Sequence, residues 1–85
     1  MWNGSDVTDW LEQDNALVRE FEFESFSRAI DFVVRVAEAA EAENHHPDLD
    51  IRYRKVTVRW TTHSEGGITT RDREMAELTS TFASR

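Results

Sequence analysis

The sequence predicts an α+β fold, a four-stranded antiparallel sheet with helices packed on one face, in the order ββαββα. Two pairs of short segments alternate apolar and polar residues on either side of a tight turn, as β-hairpins do. Each pair is followed by a segment whose apolar residues recur at helical spacing. The 85 residues suffice for one domain. We therefore treat residues 1–85 as a single domain, in which the polar residues 1–9 are poorly defined.

The first hairpin is predicted from residues 10–13 and 17–23, which flank the turn dipeptide Asp14-Asn15. In the second of these strands, most apolar side chains alternate with polar ones. Arg19 and Val18 break the pattern, since Arg19 falls on the otherwise apolar side and Val18 on the otherwise polar side. The alternation still predicts one face against the core and one face toward solvent.

The first helix is predicted to begin after Ser25, a favourable N-cap residue, and to run to about Ala42. Phe32 and Val34 lie outside its main apolar arc. The arc consists of residues at helical spacing: Phe26, Ala29, Ile30, Val33, Val36, Ala37 and Ala40. It is wider than one sheet face usually requires, so it indicates either a second packing partner or a well-covered helix.

The second hairpin follows Pro47, which ends the first helix because the residue before a proline is disfavoured in helical conformation. Residues 49–53 and 56–60 alternate apolar and polar side chains around a reversal near Arg54-Lys55. This pattern predicts two more antiparallel strands.

The last helix is predicted to open at Thr69, which forms a capping pair with Asp72 three residues later. Gly66-Gly67 makes the loop before it. The inner stripe of this helix is predicted to be Met75, Leu78, Thr79 and Phe82.

Composition excludes several classes of function. Cysteine is absent, which removes disulfides, thiolate nucleophiles and zinc–thiolate sites. A formal net charge of −7, from 17 acidic and 10 basic residues, argues against binding to nucleic acids or to anionic membranes. The first residues carry no secretory signal, and no apolar run approaches the roughly 20 residues that span a bilayer. We expect a cytoplasmic protein.

Three histidines, His45, His46 and His63, are the candidate catalytic residues. They fall at the predicted ends of a helix and a strand, where side chains point into a shared cleft rather than a core. We therefore expect them to contribute little to stability. Imidazole can both give and accept a proton near neutral pH. Glu41, one helical turn before His45, is placed to orient it, and Asp72 is a further acid for the same cleft.

Each candidate has a second interpretation that the residues leave open. His45 and His46 are also compatible with a solvated helix end, where cationic side chains are favourable. Glu41 and Asp72 are compatible with an exposed helix position and a cap. A metal site is disfavoured, because adjacent histidines point in different directions and no cysteine is available. We therefore expect no metal and no cofactor.

The spacing of these residues resembles that of the pterin-4a-carbinolamine dehydratases. The shared pattern runs Glu41-x₃-His45-His46-Pro47, Tyr53, Thr61-Thr62-His63, Gly66-Gly67-Ile68-Thr69, Asp72 and Ala76. The similarity extends from about Trp10 to Leu78. Members of this family usually carry a helix before the residue that Trp10 matches. Only nine residues precede Trp10 here, so we expect that N-terminal helix to be missing.

The resemblance implies a hydro-lyase, a 4a-hydroxytetrahydrobiopterin dehydratase. Such an enzyme eliminates water from a 4a-hydroxytetrahydropterin to give a quinonoid dihydropterin, in tetrahydropterin recycling. By resemblance His45 and His46 form the acid/base pair, in either order, and His63 binds and polarises the pterin. The supporting and substrate-binding residues implied are Glu41, Asn44, Pro47, Thr62 and Asp72. The pterin is the substrate, so no cofactor is implied.

A second function stays open at this point, since a fold does not fix a function. The wider family includes non-catalytic protein-binding or assembly factors and dimerisation cofactors of transcription factors. Degenerate relatives would be expected to lose histidines, whereas all three are present here. The partners expected are a second copy, as homodimer or homotetramer, and a functional link to an aromatic amino acid hydroxylase. Direct nucleic-acid or membrane partners are not expected.

Overall fold

A computed structural model describes residues 9–84 of the chain. Its elements are β1 (Leu11–Gln13), β2 (Ala16–Glu22), α1 (Phe26–Glu43), β3 (Asp48–Arg52), β4 (Lys55–Trp60) and α2 (Thr70–Ala83), with a 3₁₀ turn at His63–Glu65. The strands form one antiparallel sheet in the order β1-β2-β4-β3. Both helices contact this sheet and each other. The predicted α+β fold is confirmed; the expected lack of an N-terminal helix concerns residues 1–8, outside the described range.

The turn of the first hairpin lies where the sequence predicts it. Asp14 and Asn15 both adopt positive φ, 51° and 64°. Two consecutive left-handed residues are what a two-residue type I′ turn requires, and asparagine and aspartate tolerate that conformation best after glycine. The turn sets the register in which Gln13 pairs with Ala16.

The core lies between the helices and the central strands β2 and β4. Leu17 pairs with Trp60 and Phe21 with Val56, so these side chains share the helix-facing side of the sheet. All four are buried. Arg19 stands on the same side, opposite Val58, which explains why it interrupts the apolar alternation.

Arg19 is accommodated among apolar groups by contacts with an aromatic ring and a hydroxyl, and its Nη1 also lies 3.8 Å from Asp9 Oδ2. Its guanidinium carbon lies 4.5 Å from the ring centroid of Phe21, within cation–π range. Its Nη1 donates to Ser80 Oγ of α2 at 3.0 Å. The aliphatic stem therefore packs inside while the charge meets polar partners at the rim.

Helix α1 begins and ends at the predicted places. Ser25 Oγ accepts a hydrogen bond from the backbone N–H of Arg28 at 3.1 Å, as an N-cap does. The placement of Phe32 outside the buried arc was wrong: its ring is 1% exposed and lies about 5 Å from those of Phe21 and Phe23. Phe26, assigned to the arc, is 51% exposed. The helix turns its Phe32 side to the sheet because that ring completes an aromatic cluster.

The second hairpin reverses one residue earlier than predicted, at Tyr53-Arg54, with Tyr53 at a φ of 55°. Arg54 ties the turn to the end of β2. Its backbone O accepts from the N–H of Phe23 at 3.0 Å, and its Nη1 donates to Phe23 O at 2.8 Å. In α2, Leu78 was wrongly placed inside and is 38% exposed. The buried side of α2 consists of Asp72, Met75, Ala76, Thr79 and Ser80.

Candidate active site

The end of helix α1 sends two neighbouring histidines in different directions. Asn44 closes the helix in a left-handed conformation, with a φ of 51°. The N–H of His45 then donates to Ala40 O at 3.0 Å and that of Asn44 to Glu41 O at 3.3 Å, which is the Schellman type of helix termination. As a result His45 points inward and is only 8% exposed. His46 stays at the surface, with 54% of its side chain exposed.

His45 is held on two sides. Its Nε2 lies 2.6 Å from Asp72 Oδ1. Its ring also stacks on the indole of Trp60, with centroids 5.5 Å apart and planes inclined by 21°. The prediction that the side chains at these element ends point into a cleft rather than a core is therefore wrong for His45, whereas its contribution to stability stays a prediction. No residue between 9 and 84 bonds its other ring nitrogen, Nδ1.

Asp72 is a fully buried carboxylate with every oxygen satisfied. Its Oδ1 is hydrogen-bonded to His45 Nε2. Its Oδ2 accepts from Thr62 Oγ1 at 2.7 Å and from the backbone N–H of Thr69 at 2.8 Å. Burial alone would raise the pKa of Asp72, but the hydrogen bonds from His45, Thr62 and Thr69 outweigh it and lower the pKa. Asp72 is therefore ionised at neutral pH. An ionised carboxylate only accepts, so Nε2 of His45 carries the proton.

The local sequence explains how Asp72 reaches this position. Thr69 and Asp72 form a reciprocal capping box at the start of α2, as the sequence predicts. Only one carboxylate oxygen is needed for the box. The other oxygen is free to reach His45, so a single side chain serves both the helix start and the candidate site.

His46 has a carboxylate partner of its own. Its Nε2 lies 2.5 Å from Glu41 Oε2, and both side chains are largely exposed. The assignment of Glu41 to His45 was therefore wrong. The helix ends at Asn44, between Glu41 and His45. His45, four residues after Glu41, therefore turns inward, and His46, five residues after it, lies beside Glu41.

His63 begins the 3₁₀ turn directly after Thr62 and is exposed. Thr62 is buried and fixed by its bond to Asp72 and by backbone bonds to Gly67, 3.0 and 3.3 Å long. Within residues 9–84 the ring of His63 makes no hydrogen bond. The contacts from Thr62 through Asp72 to His45 link the residue before His63 to His45.

Asn44 and Pro47, two predicted supporting residues, act through the backbone. Asn44 supplies the left-handed helix end, and Pro47 precedes β3, which starts at Asp48. Neither side chain bonds the histidines within the described residues. Asn44 and Pro47 flank the two histidines and fix the backbone direction between the end of α1 and the start of β3.

Sequence reasoning missed Trp60 and Arg71. Trp60 was predicted only as an apolar residue of the strand 56–60, and nothing in the strand alternation signals its stack on His45. Arg71 extends its Nη2 to the carbonyl oxygens of Glu43 and Asn44, at 2.7 and 3.5 Å. It thereby ties the start of α2 to the end of α1, where free carbonyl groups favour a cation. Its position beside Asp72 was the only available signal.

The arrangement is suited to proton transfer. Two adjacent imidazoles each have Nε2 on a carboxylate, one pair buried and one exposed. A carboxylate partner fixes the imidazole tautomer and stabilises the imidazolium form. No cluster of three or more acidic or histidine side chains suitable for a metal ion occurs among residues 9–84. Within that range no helix is long and apolar enough to cross a membrane.

Comparison with known proteins identifies relatives over nearly the whole chain. Residues 3–82 match the family described as pterin 4 alpha carbinolamine dehydratase. A protein of Mycolicibacterium vanbaalenii, provisionally named a pterin-4-alpha-carbinolamine dehydratase, is 55% identical over 71 residues, covering 84% of this chain and 76% of that protein. A similarly named protein of Thermomicrobium roseum is 49% identical over 79 residues, covering 88% and 85%.

Solved structures share the architecture. A transcriptional coactivator/pterin dehydratase from Brucella melitensis superposes with a TM-score of 0.81 at 36% identity, covering 87% of this chain and 79% of that one. A pterin dehydratase-like protein described as a RuBisCO assembly factor of the alpha-carboxysome gives 0.77 at 20% identity, covering 88% and 89%. The second likeness concerns the fold alone. With its family match, its relatives at about half identity and its fold, the chain belongs to the pterin 4 alpha carbinolamine dehydratase family.

Proposed function

We propose that this protein is a dehydratase that eliminates water from a 4a-hydroxytetrahydropterin and releases a quinonoid dihydropterin. The observation that carries the proposal is the pairing of two adjacent imidazoles with two separate carboxylates, His45 with Asp72 and His46 with Glu41. Membership of the dehydratase family supports the choice of substrate.

The elimination needs one proton donor and one proton acceptor. The C4a–O bond breaks as the leaving hydroxyl takes a proton from an imidazolium, and a ring N–H of the pterin gives its proton to a neutral imidazole. The electrons of that N–H bond form the new double bond, so water and the quinonoid product balance the substrate. General acid–base catalysis of this kind contributes about 10²–10⁴-fold in rate.

The geometry favours Nδ1 as the reacting atom of both histidines, since the carboxylates engage Nε2 of each. The buried pair keeps one fixed tautomer, with the proton of His45 directed to Asp72. The exposed pair of His46 and Glu41 can exchange protons with solvent, so solvent can restore the protonation state of His46 after each turnover. His63, exposed beside Thr62, is proposed to hold the pterin.

Several finer features belong to the same proposal. The reaction would act in tetrahydropterin recycling in the cytoplasm, downstream of an aromatic amino acid hydroxylase that supplies the carbinolamine. The site residues need neither a metal nor a redox cofactor for this chemistry. We propose a homodimer or homotetramer as the working form.

A second candidate function is protein binding. It is favoured by the structural relatives, whose descriptions include a transcriptional coactivator and an assembly factor. Such a role does not depend on the histidines. The complete set of three histidines, two of them paired with carboxylates, supports the dehydratase instead.

A direct dehydration assay tests the proposal. Synthetic 4a-hydroxytetrahydropterin loses water spontaneously, and the purified protein should raise that rate in proportion to enzyme concentration. The His45→Ala/His46→Ala double variant is the control for protein added without the acid/base pair. A folded wild-type protein that leaves the spontaneous rate unchanged would contradict the dehydratase and favour the binding function.

A further inference from the structure

Trp60 occupies an unusual place for a core residue, at the end of β4 with one face of its indole against His45. The centroids are 5.5 Å apart and the planes are inclined by 21°. The indole is fully buried, and its Nε1 donates to Thr79 Oγ1 at 3.1 Å. Thr79 in turn donates to Met75 O at 2.6 Å. The plane of the indole is thus fixed by helix α2, independently of His45.

The stack adds a constraint that Asp72 cannot supply. A single hydrogen bond from Nε2 fixes its distance from Oδ1, but small coupled rotations about the Cα–Cβ and Cβ–Cγ bonds of His45 can still tilt the ring plane. Contact with a flat, immobile surface removes these rotations. Together the two contacts define the direction in which Nδ1 of His45 points.

We infer that Trp60 is a positioning residue that sets the ring plane of His45 and keeps its Nδ1 aimed at the substrate. The inference rests on the proposed function for its catalytic meaning. Its structural part, the control of the His45 ring by Trp60, holds whatever reaction the site performs. Errors of about 1 Å in the position of a reacting group lower rates by up to about 10²-fold, so the effect on turnover is measurable.

Trp10 provides a matched control. It is also a buried tryptophan whose Nε1 bonds a hydroxyl of α2, Ser80 Oγ at 3.0 Å. Its ring meets Phe21 edge-on at 5.8 Å. Replacing Trp10 removes the same volume and the same type of hydrogen bond from the same core, without touching His45.

The experiment compares Trp60→Leu and Trp60→Phe with Trp10→Leu and Trp10→Phe. For Trp60→Leu we expect kcat to fall about 10–100-fold with KM changed less than about twofold. Trp60→Phe keeps an aromatic face and should restore most of this loss, to within about threefold to fivefold of wild type. Both Trp10 variants should keep kcat within about twofold, corrected for the folded fraction.

Nitrogen-15 spectra of the imidazole rings supply a readout that needs no catalysis. Wild-type His45 should show one sharp set of ring signals, protonated at Nε2 because Asp72 accepts from it. Loss of the Trp60 face should shift and broaden these signals, as the ring samples more than one orientation, while the Nε2–H tautomer stays. If Trp60 and Trp10 variants match in kcat and in the position and width of the His45 ring signals, the inference is wrong. Should Trp60→Leu fail to fold, the two phenylalanine variants decide by the same comparison. A wild-type protein without dehydratase activity would overturn the proposed function, while the spectra would still test the positioning.

Discussion

His45 and Asp72 stand 27 positions apart in the chain, yet His45 Nε2 lies 2.6 Å from Asp72 Oδ1 in the protein interior. The contact joins the residue just past the end of α1 to the first turn of α2. The same carboxylate completes the capping box of α2 through its other oxygen. Because one side chain serves both purposes, the stability of the fold and the geometry of the candidate site depend on each other.

Replacing Asp72 with asparagine should therefore affect stability and activity together. The variant loses a buried charge that accepts four hydrogen bonds, and its amide nitrogen would face a group that is itself a donor. We expect the free energy of unfolding to fall by about 2–4 kcal/mol and the dehydration rate to fall at least about 10²-fold. Urea denaturation and the dehydration assay measure the two effects. Asp31→Asn, an exposed carboxylate of α1, is the control and should change neither.

The pH dependence of stability follows from the pKa of Asp72. That pKa is lowered in the folded protein, so the unfolded chain binds a proton more readily. The contribution of Asp72 to the free energy of unfolding is fully present above the ordinary carboxyl pKa of about 3.9. It is lost as pH falls from there through the lowered pKa of the folded state. Denaturation curves recorded as the pH falls below about 5 should show a shallower decline in the free energy of unfolding for Asp72→Asn than for wild type. Parallel declines would mean that other carboxyls govern acid unfolding.

Alanine variants of the three histidines should differ in how they change the dehydration rate and KM. Either His45→Ala or His46→Ala should lower the rate by about 10²–10⁴-fold, less if one imidazole partly substitutes for the other. The double variant should be close to inactive, because groups that act as a unit are not additive. His63→Ala should raise KM at least as much as it lowers kcat. Full activity in all of the folded variants would exclude proton transfer by this cluster.

Stability distinguishes the two adjacent histidines further. His45→Ala removes the stack on Trp60 and the bond to Asp72, which should cost about 2 kcal/mol. His46→Ala removes only an exposed pair with Glu41 and should leave Tm nearly unchanged. Thermal melts of the two variants side by side make the comparison. Equal melting temperatures would mean that the inward position of His45 does not contribute to the fold.

Local rules account for what the sequence could predict. The Asp14-Asn15 turn, the Ser25 cap and the Thr69–Asp72 capping box each depend on residues within four positions of one another. These residues mark where the predicted strands and helices begin and end, and the spacing of apolar residues predicts the elements between them. The candidate histidines were found because they terminate elements.

The features that escaped prediction depend on tertiary contacts. Phe32 is buried because α1 is rotated to complete an aromatic cluster, and apolar spacing alone does not give that rotation. Glu41 pairs with His46 rather than His45 because the left-handed Asn44 redirects the chain. The stack of Trp60 on His45 joins the ends of two elements that are distant in sequence.

The N-cap of α1 offers a simple test of the fold. Ser25→Ala removes the oxygen that accepts from the N–H of Arg28 and should lower the free energy of unfolding by about 1 kcal/mol. Ser27→Ala is the matched control, since Ser27 is exposed inside the helix, where alanine has the higher propensity. It should be neutral or slightly stabilising. A Ser25→Ala variant as stable as Ser27→Ala would show that the cap is dispensable.

Self-association is the last prediction, and it follows from apolar surface left uncovered by the single chain. On α1, Phe26 is 51% and Val34 is 49% exposed, and β3 forms an edge of the sheet with one side unpaired within the described residues. A second copy can cover both features with twofold symmetry. We expect light scattering at roughly tens of micromolar to give the mass of a dimer or tetramer. Val34→Glu should shift the equilibrium toward monomer, whereas Arg35→Gln, which changes the net charge by the same amount on the polar side of α1, should not. A wild-type protein that stays monomeric at this concentration would contradict the prediction. If both variants lower the mass of the assembly equally, the cause is net charge rather than the apolar surface.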